Sequence, residues 1–150
     1  MIRKAKPGDV EGIKALIDSY AKKDMLLPRS IVDIVSYLRD FFVFERGGKI
    51  EGCVALHLCW LDLGEIRSLT LVEGMQGKGI GKQLLQKALE EAKQFGLKRV
   101  FTLSYSPEFF EKSGFKRIDK NELPHKIWSI CLDCPKFPNC NEIALVVELG

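Results

Sequence analysis

The sequence predicts an α+β domain, three-layer-like in its order of elements. Helical periodicity sits at the front, a meander of strands follows, and one strand–turn–helix–strand unit leads to a closing strand. The 150 residues suit one domain, and a chain of that size buries roughly 70% of its unfolded surface without needing staples. No internal repeat or low-complexity tract interrupts the order. A single domain over 1–150 is expected, with an insert at 119–141.

Residues 2–5 read as a short strand, and Pro7-Gly8-Asp9 marks a helix start. Val10, Ile13, Leu16, Ile17, Tyr20 and Ala21 then keep a helical period to about residue 22. Ser30 and Asp33 have capping-box spacing, with Asp in place of Glu or Gln, ahead of the stripe Ile31, Ile34, Val35 and Leu38. Phe41 to Phe44 and Ile50 to Leu58 flank Gly47-Gly48, the pattern of a β-hairpin with a glycine turn. Leu61 to Val72 continues as a strand in which Gly64 marks a bend or bulge. A glycine-rich turn at 74–81 opens the most periodic helix. Its apolar face is Ile80, Leu84, Leu85, Ala88, Leu89, Ala92 and Phe95, and Gly96 stops it. Arg99 to Ser104 is a strand, Pro107 opens a short helix, and Phe115 to Ile118 and Glu142 to Leu149 are strands. The stretch 119–141 is rich in Pro, Cys, Lys and Asn and has little periodicity.

Hydrophobic residues at 46% and charged residues at 29% exclude a disordered, collagen-like or coiled-coil chain. The best apolar run, Cys53 to Leu61, is broken by His57 and is too short to span a membrane. The opening M-I-R-K-A-K-P-G-D lacks the apolar core of a signal peptide. A net charge of +3 is too mild for a nucleic-acid footprint. A cytoplasmic protein, without membrane or nucleic acid as a partner, is the expectation.

The segment Q-G-K-G-I-G at 76–81 lies between a strand and a helix. Glycines there let backbone N–H groups approach an anion, and the helix N-terminus adds about half a positive charge. A phosphate-bearing ligand is the physical reading; a tight strand–helix turn is the plain one. The P-loop pattern fails, because Gly81-Lys82 is followed by Gln83 and preceded five positions back by Gln76. The dinucleotide fingerprint fails twice, since its third glycine would fall on Lys82 or Leu84.

Gln76, Gly79 and Gly81 do fit Gln/Arg-x-x-Gly-x-Gly/Ala, directly after a strand reading L-T-L-V-E-G-M, and P-E-F-F-E-K-S-G-F follows at 107–115. In this order the pair resembles the acetyl-CoA-binding and short-helix motifs of the GNAT superfamily of N-acetyltransferases. The resemblance implies the GNAT fold, a mixed, mostly antiparallel sheet flanked by helices, here with a Cys-rich insert before the last strand. It implies acetyl-CoA as cosubstrate. Behind Gln76, the backbone amides of Gly77, Lys78, Gly79, Ile80 and Gly81 would hold the pyrophosphate. The main chain at Leu69, Thr70 and Leu71 would pair with the pantetheine arm like an added strand, and the N–H near Leu71 would polarise the thioester carbonyl. Phe110 of the short helix joins the cofactor-binding set. Lys78 and Lys82 are candidates for the nucleotide phosphates, with a solvated helix face as the alternative.

Acetyl transfer to an amine requires loss of a proton from the ammonium, support for the oxyanion, and an acid for the leaving thiolate. Within the superfamily that acid is often a Tyr in a Phe-Tyr pair of the short helix; here the pair is Phe109-Phe110. The strings E-I-R-S-L-T-L-V, F-T-L-S-Y-S-P-E-F-F, L-L-P-R-S and L-P-H-K-I-W are similar to the acetyltransferase domain of N-acetylglutamate synthases. That closer resemblance implies Glu65 as base, Ser104 as acid and Arg29 as binder of the amino acid's carboxylate. The plain alternatives stay open: a same-face ion pair between Glu65 and Arg67, a backbone bond for Ser104, a surface position for Arg29. Tyr105 is the rival acid, and Arg67 and Lys126 are further carboxylate binders. No amino-acid kinase region precedes the motifs, so a stand-alone enzyme is expected.

Cys53 and Cys59 sit in strands and read as packing, whereas Cys131, Cys134 and Cys140 cluster in the insert. With His125 these three make a candidate tetrahedral site, yet no second C-x-x-C completes a zinc signature. Structural zinc, reduced thiols packed in a loop, and a disulfide all stay open.

The expected reaction is transfer of acetyl from acetyl-CoA to the α-amine of L-glutamate, the first step of arginine biosynthesis, directly within a ternary complex. A protein N-terminus or a polyamine are the rival acceptors. A non-catalytic acetyl-CoA-binding module is the rival class, supported by phenylalanine at position 110. The partners are small molecules, and a homodimer stays open.

Overall fold

The computed structural model describes residues 1–119, 122 and 143–150. The chain order is β1 (Ile2–Lys4), α1 (Val10–Ala21), α2 (Ile31–Ser36), β2 (Phe41–Arg46), β3 (Lys49–Trp60), β4 (Leu63–Leu71), α3 (Ile80–Gln94), β5 (Arg99–Ser104), α4 (Pro107–Glu111), β6 (Lys116–Ile118) and β7 (Ile143–Glu148). Short 3-10 turns, Pro7–Asp9 and Leu38–Asp40, lead into α1 and β2. The described strands form one seven-stranded sheet in the order β1-β2-β3-β4-β5-β7-β6. Neighbours are antiparallel except β4 and β5, which run parallel. The predicted mixed sheet with flanking helices is what the chain forms.

Gly47 and Gly48 carry φ of 60° and 78°, so both central residues of the β2–β3 turn are left-handed. That turn matches the twist of the strands, and only glycine adopts it twice in succession at low cost. Strand alternation then divides the apolar side chains between two faces. On one face Val54, Leu56, Ile66, Val100 and Leu145 meet Ile80, Leu84, Leu85, Ala88 and Ala92 of α3. On the other, Phe41, Val43, Cys53 and Ala55 meet Val10, Ile13, Leu16 and Ile17 of α1 and Ile34 of α2. Cys59, Leu63, Phe101 and Ala144 form a smaller third cluster.

Some side chains fall where the pattern did not put them. Phe95 is 63% exposed, because α3 closes in a Schellman turn first. Gly96 takes φ 81°, and the N–H of Leu97 reaches back to the Ala92 carbonyl, so Leu97 fills the buried position instead. In α2 just Ile34 is buried, while Ile31 and Val35 are half exposed, since a helix of under two turns offers the sheet one position. The expected bulge does fall at Gly64: it pairs with Leu58, and the register then slips to Trp60↔Leu63, leaving Cys59 as the extra residue of β3. A Cβ on Gly64 would also stand 2.9 Å from Leu97 Cδ1, so glycine serves close packing of the end of α3 as well. A second irregularity of β4 is at Ser68, whose φ is 57°.

Asp9 ties the first strand to α1. Its carboxylate is buried and accepts from Arg3 at 2.7 and 3.0 Å and from the Lys6 N–H at 2.9 Å. The Arg3 hydrogen bond, opposed by burial, holds this carboxyl below its ordinary pKa. A depressed folded-state pKa adds stability above the unfolded value of about 4 and loses it as pH falls through the folded value. Asp9→Asn is therefore expected to melt lower than the parent at pH 7, with the gap closing as pH drops below about 4. Parallel thermal melts across that range check it; a gap independent of pH would contradict the assignment.

Candidate functional site

The parallel pairing of β4 and β5 runs from Leu63↔Arg99 to Ile66↔Thr102 and stops there. The buried Thr102 hydroxyl donates to the Ile66 carbonyl at 3.0 Å, taking an acceptor that a further rung would use. Two residues later Ser68 sits in the left-handed region, and the β3 register passes from Ala55↔Arg67 to Cys53↔Thr70. This bulge turns β4 away from β5 and opens a gap between their C-terminal halves. A non-glycine residue pays about 1–2 kcal/mol to stand there, and its neighbours fix it. The Cys53 thiol donates to the Ser68 carbonyl at 3.3 Å and lies 3.1 Å from the Thr70 hydroxyl. Burial pushes that thiol up to about 12, so it stays a donor at neutral pH. Cys53 thus does more than the packing its sequence context suggested.

On the α1 side of the gap the residues are charged. Glu65, 8% exposed, accepts from Arg67 Nε at 2.6 Å, so the expected same-face ion pair is present. The Cys59 sulfur lies 3.9 Å from Glu65 Oε1. Arg29 is no surface residue. Its side chain is 12% exposed, pairs with Asp33 at 2.6 Å and donates to the Ser68 hydroxyl at 3.2 Å, with the guanidinium 5.2 Å from the Phe41 ring centre. The capping logic explains that placement. Ser30 Oγ accepts from the Asp33 N–H at 3.0 Å, and the Asp33 carboxylate turns back to Arg29 rather than completing a capping box. His57 stands opposite Glu65 on β3 with Nδ1 2.8 Å from Asp40 and its ring edge-on to Tyr37.

At the other end of the gap is the glycine loop. Gly74, Gly77 and Gly79 take φ of 89°, 80° and 82°. No neighbour lies within 4 Å of a Cβ built on them, so conformation rather than space demands glycine. Left-handed residues leading into a helix turn successive N–H groups toward one point, a ready anion cradle. Gly81 differs: a Cβ there would make ordinary contact with Phe109 and Leu71 at 3.5–3.6 Å, as the motif's tolerance of Ala implies. Ile80 is buried under the loop, whereas Lys78 and Lys82 are exposed. Gln76 accepts from the Gly74 N–H at 3.1 Å and donates to Tyr20 Oη at 3.3 Å. The Leu71 N–H donates to the same phenol at 3.1 Å. Tyr20 therefore caps the open edge of β4, a role its position in the apolar stripe of α1 did not reveal. Leu69 is half-buried and Thr70 buried beside it. Phe110 is buried in the core against Phe109 and Phe115, and its neighbour Phe109 is the ring that meets the loop.

Ser104 and Tyr105 lie at the C-terminal end of β5, across the gap. Ser104 Oγ accepts from the Ser106 N–H at 2.9 Å, the backbone bond considered above, and its own proton is not used in that bond. Phe101 shares the cluster of Leu63 and Cys59, while Val100 packs with α3. Alternation then puts Ser104 on the face opposite Glu65, so both reach one ligand only through the gap. Arranged this way, the cleft offers an anion cradle, unpaired strand edges, a buried carboxylate and two guanidinium groups.

His125, Lys126, Cys131, Cys134 and Cys140 lie outside the described residues. Among the described residues no group of three or more His, Cys, Asp or Glu is placed to hold a metal ion, and no helix is long and apolar enough to cross a membrane.

Residues 16–115 match the Acetyltransferase (GNAT) family. The chain is 38% identical over 148 residues to an uncharacterized N-acetyltransferase of Chlorobaculum tepidum, covering 99% of this chain and 96% of that one. It is 40% identical over 122 residues to an amino-acid acetyltransferase of Mycobacterium tuberculosis, covering 79% and 70%. Its fold is similar to that of N-acetylglutamate synthase from Neisseria gonorrhoeae complexed with coenzyme A and N-acetyl-glutamate. That likeness has a TM-score of 0.91 and 31% identity, and covers 100% of this chain and 35% of that one.

Proposed function

The chain belongs to the GNAT acetyltransferase family, and from that premise we propose that it transfers acetyl from acetyl-CoA to the α-amine of L-glutamate within a ternary complex. The observation that carries the acceptor is Arg29. A largely buried guanidinium is aimed at the Ser68 bulge, on the face that carries Glu65 and Arg67. Arginine at such a site suits a planar carboxylate, and a second guanidinium nearby suits a dicarboxylate. The likeness to a synthase complexed with N-acetyl-glutamate supports the same acceptor.

In this reading the glycine loop takes the pyrophosphate, and the edge at Leu69–Leu71 takes the pantetheine arm once Tyr20 releases the Leu71 amide. Glu65 accepts a proton from the α-ammonium. The freed amine attacks the thioester carbon, the C–N bond forms, and the carbonyl oxygen gains charge beside the β4 amides. Collapse breaks the C–S bond; Ser104, supported by the Ser106 N–H, gives its hydroxyl proton to the departing thiolate and is restored by the second proton that the nitrogen sheds as the amide forms.

Steady-state release of CoA thiol with a panel of L-amino acids, a polyamine and a short peptide tests the assignment. L-Glutamate is expected to give the highest kcat/KM, with the amines lacking a carboxylate near the hydrolysis background. Absence of glutamate-dependent release would remove this acceptor, and turnover of the peptide or polyamine instead would name its replacement.

A further inference from the structure

Amide formation from an ammonium releases two protons: one ends on the CoA thiol, and the other must leave the protein. Glu65 is largely buried and ion-paired with Arg67, so little of its carboxylate meets water directly. The side chain directly across the ladder is His57, and residues opposite one another in antiparallel strands carry their Cβ atoms about 5 Å apart on one face. We propose that His57, oriented by Asp40, relays the proton of Glu65 to solvent. This inference rests on the acyl-transfer reading above and extends it to a residue outside the expected base, acid and carboxylate set.

The chemistry of the pair supports the role. An ionised carboxylate only accepts, so the contact of 2.8 Å between Asp40 Oδ2 and His57 Nδ1 places the ring proton on Nδ1. The lone pair then resides on Nε2, the tautomer needed to take a proton. Asp40 also balances the imidazolium that forms. The side chains of His57 and Asp40 are 21% and 25% exposed, against 11% for Glu65, so the pair is more open to water than the carboxylate it faces across the ladder. The relay balances in steps. The ammonium proton moves to Glu65, then to Nε2, then to water, and both side chains return to their starting forms. The groups facing His57 are Asp40 and Tyr37 from the 3-10 turn and the end of α2, Glu65 and Arg67 from β4, and Cys59 from its own strand, whose thiol approaches the His57 carbonyl at 3.8 Å. Tyr37, edge-on at 5.1 Å, holds the ring from the side.

The test is the pH profile of kcat for the parent, His57→Gln, Asp40→Asn and the double variant, with imidazole added to His57→Ala. His57→Gln is expected to lower kcat by about tenfold or more and to change the pH profile, with the KM for glutamate little changed. Asp40→Asn should fall between, the double variant should be no worse than His57→Gln, and imidazole should restore part of the rate to His57→Ala. Acetyl-CoA affinity and thermal melts of each variant report whether the fold is kept. A folded His57→Gln with the parent's profile, or a His57→Ala that imidazole does not rescue, overturns the relay and leaves the acceptor assignment standing. Absence of glutamate-dependent turnover in the parent overturns both, which separates the two failures.

Discussion

Glu65→Gln is expected to lower kcat by about a hundredfold to ten-thousandfold, with acetyl-CoA affinity unchanged. Glutamine keeps the shape and still offers Arg67 an oxygen at the position now 2.6 Å away, so the packing survives. What disappears is the negative charge and the ability to accept a proton. Arg67 then loses its partner in a half-buried place, and the variant should melt somewhat lower for that reason alone. Melting curves and CoA binding therefore accompany the kinetics. A fall in kcat with CoA binding intact supports a base in the site. An unchanged kcat removes Glu65 from the proton path and leaves the ion pair as its whole role. Loss of CoA binding as well would mean that the pair holds the cleft open. The same variant separates an enzyme from a cofactor-binding module, because a module has no turnover to lose.

The expectation that Glu65 and Arg67 share a face needed nothing beyond strand alternation, and it was correct. The glycine loop was equally legible, because positive φ at Gly77 and Gly79 leaves a direct trace in residue type. The bulge was not. Ser68 adopts a left-handed conformation that serine seldom takes, and the bonds that impose it come from Cys53, 15 residues away, and Arg29, 39 residues away. Gly64 was legible in part: the register slip beside it matches the expected bulge, whereas its close packing against Leu97 leaves no separate trace in residue type. Tyr20 and His57 were hidden by context. One lies in an apolar helical stripe and the other interrupts an apolar strand, and their polar ends find partners only when α1 and the Leu38–Asp40 turn fold against the sheet. Contacts set by local periodicity could be read; those set by tertiary closure could not.

Arg29→Met is expected to raise the KM for glutamate by about a hundredfold, which corresponds to about 2.8 kcal/mol at 1.4 kcal/mol per tenfold. Methionine retains the length and apolar body that lie against Phe41 but has no charge for a carboxylate. The complication is structural, since Arg29 also pairs with Asp33 and holds the Ser68 hydroxyl. Ser68→Ala isolates the second contact: it should alter the melting temperature without the hundredfold rise in KM. Arg29→Lys should recover only part of the loss, because an ammonium lacks the planar fork that a carboxylate fits. L-Glutamine as acceptor then decides which carboxylate is bound. The thioester is proposed to lie along the β4 edge at Leu69–Leu71, directly after the bulge, and the α-carboxylate is one carbon from the attacking amine. A guanidinium reaching Ser68 should therefore hold the α-carboxylate, leaving Arg67 nearer the side chain. If so, Arg29→Met should raise the KM for glutamine by the same factor as for glutamate, and Arg67→Met should spare glutamine. Should glutamine be insensitive to Arg29→Met, the two arginines exchange roles; should neither substitution raise either KM, the acceptor binds elsewhere in the cleft.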